Sequence, residues 1–151
     1  MGRHWIVVFL FATAPASVCA ACLADGQAVE FEGMISRETF PGPPNYQSID
    51  DGDKPETVWI VTIDSANCVV AESMEDGKQY EVAKATCRFQ LVFSAGSDYE
   101  RYNALVERRV KVVGQLFAGH TGHHHTKALI DVKELAPIEK NKAKGSSPSG
   151  L

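Results

Sequence analysis

The chain has few of the features that most function classes require. Beyond its first twenty residues there is no apolar run long enough to span a bilayer, which excludes a helical membrane domain. Basic charge is scarce: 15 Lys and Arg stand against 19 Asp and Glu, a formal net charge of −4. Phosphate backbones demand a basic face, so nucleic acid is excluded as a partner. There is no HExxH pair, no phosphate-binding glycine loop, no Ser/His/Asp order and no internal repeat. Cysteine is rare, with 4 in 151 residues, and the one CxxC spacing, Cys19-Ala20-Ala21-Cys22, falls across an expected processing site. A catalytic thiol is therefore not expected.

What is present begins with a leader. Arg3 supplies a positive start, Trp5 to Ala14 an apolar stretch, and Val18 and Ala20 the small residues at −3 and −1 of a cleavage site. Residues 1–20 read as a secretory signal peptide cleaved after Ala20, with delivery to the periplasm or the exterior. A lipoprotein signal ending at Cys22 is the second reading. Loss of Arg3 with the leader leaves 14 bases against 19 acids, so the mature chain is more acidic still. Outside the cytoplasm two of the remaining Cys22, Cys68 and Cys87 should oxidise. The pairing expected is Cys22–Cys68, leaving Cys87 as a buried free thiol or as the alternative partner.

The mature sequence reads as one domain over 21–136 and a flexible tail over 137–151 too polar to order itself. Val29, Phe31, Gly33 and Ile35 alternate with polar neighbours in a first strand. Thr57–Asp64, apolar on both faces, is a central second strand, and Arg88–Phe93 a third. Ala71–Lys84 reads as a polar loop. Ser97-Asp98-Tyr99-Glu100 has the form of a capping box, in which serine and glutamate satisfy free amides at a helix start, and helical spacing then runs to Arg108. Val110–Phe117 and Ala128–Val132 alternate as the fourth and fifth strands.

Three strands, a helix and two strands is the order of an OB-like fold, a mainly β, five-stranded Greek-key barrel with one helix between strands 3 and 4. Gly33 and Gly114 fit its bends. In that fold the loops joining strands 1–2 and 4–5 frame the binding face. Here they are the two unusual stretches, 40–56 and 117–126. The first holds Phe40-Pro41-Gly42-Pro43-Pro44-Asn45-Tyr46 and then Asp50, Asp51, Asp53 and Glu56. The second holds His120, His123, His124 and His125, every histidine except His4.

The Phe40–Tyr46 segment, Pro55–Trp59, and Val113–Phe117 running into His120–Thr126 together resemble an uncharacterised bacterial family, domain of unknown function 4431. The resemblance extends over roughly Cys22 to Leu135. It implies an exported bacterial protein and no particular activity, and it favours Cys22–Cys68 as the bridge.

Three functions follow from the residues. The first is an exported module that binds an envelope protein, peptide or glycan at the rim of the two loops, through Phe40, Tyr46, Asp51, Asp53 and Phe117. Trp59 is a further aromatic candidate, although a strand apolar on both faces places it in the core. An inhibitor or immunity-type partner of an envelope enzyme is one form of such a module. The alternative is transition-metal binding, because imidazole is a common ligand of zinc and copper. His120, His123 and His125 are the first ligands in that reading, completed by His124 or a carboxylate of Asp50, Asp51 or Asp53. The third is a metal-assisted hydrolase with Asp51 or Asp53 as general base. A scaffolding role, with imidazoles hydrogen-bonding the loop into shape, competes with all three.

Overall fold

The computed structural model describes residues 21–138; the expected leader, and the expected tail from residue 139 on, lie outside the described residues. The elements in order are β1 (Leu23–Ala24), β2 (Ala28–Pro41), β3 (Pro55–Glu72), β4 (Gln79–Val92), α1 (Ser97–Arg101), a 3-10 turn (Asn103–Leu105), β5 (Arg109–Ala118) and β6 (Ala128–Pro137). β2 runs antiparallel between β3 and β5, and β5 pairs antiparallel with β6. β6 then lies parallel to β4, and β4 returns antiparallel to β3. The five long strands thus close on themselves in the order β3-β2-β5-β6-β4-β3, the OB-like connectivity expected from the element order.

Alternation fills the interior. Val29, Ile35, Trp59, Val61, Phe89, Leu91, Val110, Val112, Leu116 and Ile130 form one buried cluster, with Phe31 stacked on Phe89 at 5.3 Å. Trp59 is only 4% exposed and meets Phe93 and Tyr99 edge-on, so it belongs to the core. Gly114 lies where β5 slips register against β6. A Cβ there would sit 2.4 Å from the Asp131 carbonyl oxygen, so only glycine lets the strands approach this closely.

Several expectations are corrected. The strands number six, because a two-residue β1 pairs parallel with β3, and the helix therefore falls between β4 and β5. That helix ends at Arg101, not Arg108. Its N-cap is Gly96 with no side-chain cap, so Ser97 stands one residue too late to close a capping box with Glu100. Ala71–Lys84 is not a loop: the β3–β4 hairpin runs through it, with Val69 opposite Ala83, Ala71 opposite Tyr80, and a turn at 73–78. Only small residues are buried there, Ala71 at 5% and Ala83 at 9% exposure, which is too faint a pattern to mark a strand. β6 extends to Pro137, and the Ile138 amide donates to the Arg109 carbonyl at 3.1 Å.

Cys22 and Cys68 form the expected disulfide, which holds β1 against β3. Cys87 is a free, partly buried thiol. Among the described residues no helix is long and apolar enough to cross a membrane.

Candidate functional site

The site lies outside the barrel. Phe89 and Leu91 point inward, so Gln90 between them points outward, flanked in register by Ile60 of β3 and Leu129 of β6. All three are nevertheless buried, and the histidine loop folds back across Gln90 and Leu129. Gln90 makes that covering specific. Its Nε2 donates to the His123 carbonyl at 3.0 Å, and its Oε1 accepts the His125 amide at 2.8 Å. Thr126 Oγ1 accepts the Gln90 amide at 2.9 Å and donates to the Ala128 carbonyl at 2.7 Å. A polar side chain on an apolar strand thus replaces the solvent that the loop excludes.

Within the loop the Gly119 amide donates to the Lys127 carbonyl at 2.9 Å and closes its base. His120 Nδ1 donates to the Ala118 carbonyl at 3.0 Å, which fixes its proton on Nδ1. The His120 amide donates to His124 Nδ1 at 3.0 Å, so neutral His124 carries its proton on Nε2. Burial first, then repulsion from the neighbouring imidazoles, lowers the pKa of His124 from the usual 6.5. Phe117 presents its ring to His124 at 5.5 Å.

The 42–54 loop is built around Asp53. Its carboxylate accepts amides from Gln47 at 2.7 Å, Asn45 at 2.8 Å and Ser48 at 3.0 Å. These bonds, those of Gln47 and Ser48 foremost, hold the carboxyl below its usual range against the opposing effect of burial. The clamp presents Tyr46 at φ +58°, a conformation that non-glycine residues seldom adopt.

The two loops then meet. His123 Nδ1 lies 2.8 and 3.0 Å from the two Glu56 oxygens, and its Nε2 lies 3.0 Å from the Tyr46 hydroxyl. A carboxylate only accepts, so Nδ1 carries the proton and Nε2 accepts from the phenol. His125 Nε2 reaches Glu56 at 3.3 Å, and its ring stacks on Phe40 at 4.6 Å and 6°. Gly122 passes beneath the Tyr46 ring, where a Cβ would sit 2.8 Å from ring carbons. Beside this junction an open cleft of about 500 Å³ is lined by Gly119 to Gly122 and His124 to Lys127.

Phe40, Tyr46 and the four histidines therefore come together, with Phe117 alongside. Asp53 is turned into its own loop, and Asp50 and Asp51 are exposed. The carboxylate that reaches the histidines is that of Glu56. Among the described residues no three or more His, Cys, Asp or Glu side chains converge in a geometry that would hold a metal ion. Glu56 and Gln90 are the residues that pattern reading passed over. The usable signals were a lone polar residue inside Phe89-Gln90-Leu91-Val92-Phe93 and a carboxylate on the Val58 side of β3.

No curated protein matches the chain. The model of the family described as Domain of unknown function (DUF4431) matches residues 88–136. That span runs from β4 through α1 and the histidine loop to β6; the Phe40–Tyr46 and Pro55–Trp59 motifs precede it. Over that span, which is under half of the chain, the match agrees with the resemblance read in the sequence, which extended from Cys22 to Leu135.

Proposed function

We propose that the chain is an exported binding module that engages a polar ligand of the cell envelope, a peptide or a glycan, at the face made by loops 42–54 and 119–127. The observation that carries this is the junction Glu56–His123–Tyr46, which locks the two loops together before any ligand arrives. A pre-ordered surface saves the entropy that a mobile loop would lose on binding. The lining of the adjacent cleft is threonine, glycine, histidine and lysine, which suits hydroxyl, amide and carboxylate groups and not acyl chains. Export rests on the leader and agrees with the Cys22–Cys68 bridge, which persists only in an oxidising compartment.

The test is a series of amide NMR spectra of the mature protein titrated with cell-wall glycopeptide fragments and neutral and acidic oligosaccharides. Saturable shifts confined to 40–56 and 117–126 are the expected result. Shifts elsewhere, or none with any of them, would sink the reading. Transition-metal binding through His123 requires it to give up its hydrogen bond to Glu56 or to Tyr46. Calorimetric titration with zinc and with copper tests it: stoichiometric binding lost in His123→Ala/His125→Ala would replace the ligand reading with a metal one.

A further inference from the structure

We propose that Tyr46 is a nucleophile, activated through His123 and Glu56 toward acyl groups carried on good leaving groups, and that the rim is therefore a site of acyl transfer as well as of binding. The three side chains form one chain of hydrogen bonds, phenol to imidazole at 3.0 Å and imidazole to carboxylate at 2.8 Å. Each has the partner that fixes its role. The carboxylate holds the His123 proton on Nδ1, which leaves Nε2 as the base aimed at the phenolic proton. This is the base-and-orienter arrangement that makes hydroxyl groups reactive, here with a phenol in the place of an alcohol.

The surroundings hold the chain in register. Tyr46 is fixed at positive φ by the Asp53 clamp, and Gly122 lets its ring lie against the histidine loop. Strained backbone of this kind persists where the surrounding structure over-determines it, and it concentrates at functional sites. Glu56 is steadied in turn by His125, whose side chain is 8% exposed and which is held by Gln90 and Phe40.

The step balances without any further reactant. With an aryl ester, the Tyr46 Oη–H bond breaks and the proton moves to His123 Nε2. The Oη–acyl bond forms, and the aryl oxygen leaves as phenolate. The imidazolium is paired with Glu56. The imidazolium then passes its proton to the departing phenolate, which restores Nε2 as the base. Water attacks the acyl-tyrosine as His123 takes its proton, and that proton returns to Tyr46 Oη as the carboxylic acid departs. Tyr46 and His123 touch the reacting atoms; Glu56 is a positioning residue.

The test treats the mature protein with p-nitrophenyl acetate and measures acetylation of individual tyrosines by peptide mass spectrometry. Tyr80 is the internal reference, since it is 51% exposed and makes no imidazole hydrogen bond among the described residues. General-base assistance is worth on the order of 100-fold or more, so Tyr46 is expected to label at least about tenfold faster than Tyr80. His123→Gln and Glu56→Gln are expected to bring Tyr46 down to the Tyr80 rate, with the thermal midpoint checked for each. Equal rates at the two tyrosines in the wild-type protein, which needs no variant to fold, would overturn the proposal. So would a fast Tyr46 that Glu56→Gln leaves unchanged.

Discussion

Gln90 Oε1 accepts the backbone amide of His125 at 2.8 Å, and this one side chain ties the histidine loop to the outer face of the barrel. Its amide group also holds the His123 carbonyl. Gln90→Ala therefore orphans a donor and an acceptor beneath the loop. Leaving buried groups unpaired costs about 1–3 kcal/mol. The denaturant midpoint should fall accordingly, and amide exchange should accelerate at 119–127 while the β2–β5 ladder stays protected. Unchanged exchange in the loop would show that Gln90 does not hold it.

Gly114→Ala tests the closure of the barrel. The added methyl would lie 2.5 Å from Ile130 Cγ2 and 2.4 Å from a backbone oxygen, neither of which can turn aside. Overpacking of this kind costs about 1–3 kcal/mol, read as a lower urea midpoint. Gly96→Ala, with no atom within 4 Å of the new carbon, is the control and should change little.

The Cys22–Cys68 bridge spans 46 residues of sequence. Constraint of the unfolded chain by such a loop is worth about 2–4 kcal/mol. Cys22→Ser/Cys68→Ser should lose that much, and β1 should leave β3 before the barrel unfolds. The measurement is thermal unfolding with and without reductant. A wild-type midpoint insensitive to reduction would contradict it.

His124 makes stability depend on pH with a definite sign. Its folded pKa is lowered by burial and by neighbouring imidazoles, so the unfolded chain binds the proton more readily. The stability it contributes is present above the unfolded value of about 6.5 and is lost as pH falls below it. Protonation at Nδ1 also removes the acceptor of the His120 amide. Thermal midpoints should decline from pH 7.5 to 5.5, and the decline should be shallower in His124→Gln. An equal slope in both proteins would remove His124 as the cause.

Asp51 and Asp53 stand two residues apart and should behave as opposites. Asp53→Asn removes the anion that gathers the amides of Asn45, Gln47 and Ser48, so exchange in 43–53 should quicken and the Tyr46–His123 contact should loosen. Asp51→Asn, at an exposed turn, should stay within about 0.5 kcal/mol of wild type. Peptide-resolved hydrogen exchange distinguishes the two.

The alternation of Val29 to Ile35, the doubly apolar Thr57–Asp64 and the paired runs after Arg109 were enough to place the long strands and their order, because a two-residue period is a local property of the chain. The meeting of the proline and histidine loops was also legible, since it follows from that order, and the bridge between Cys22 and Cys68 was the expected pairing with Cys87 as its alternative. The β3–β4 hairpin was not, because Val69, Ala71 and Ala83 are buried by neighbours distant in sequence. The roles of the carboxylates could not be read either. Asp53 and Glu56 are three residues apart and chemically alike, yet Asp53 turns inward to bind its own loop's amides while Glu56 meets His123 across 67 positions. Which way each faces is set by the register of β2 against β3 and by Gln90 drawing the histidine loop down over β4, and only the closed barrel brings those elements together.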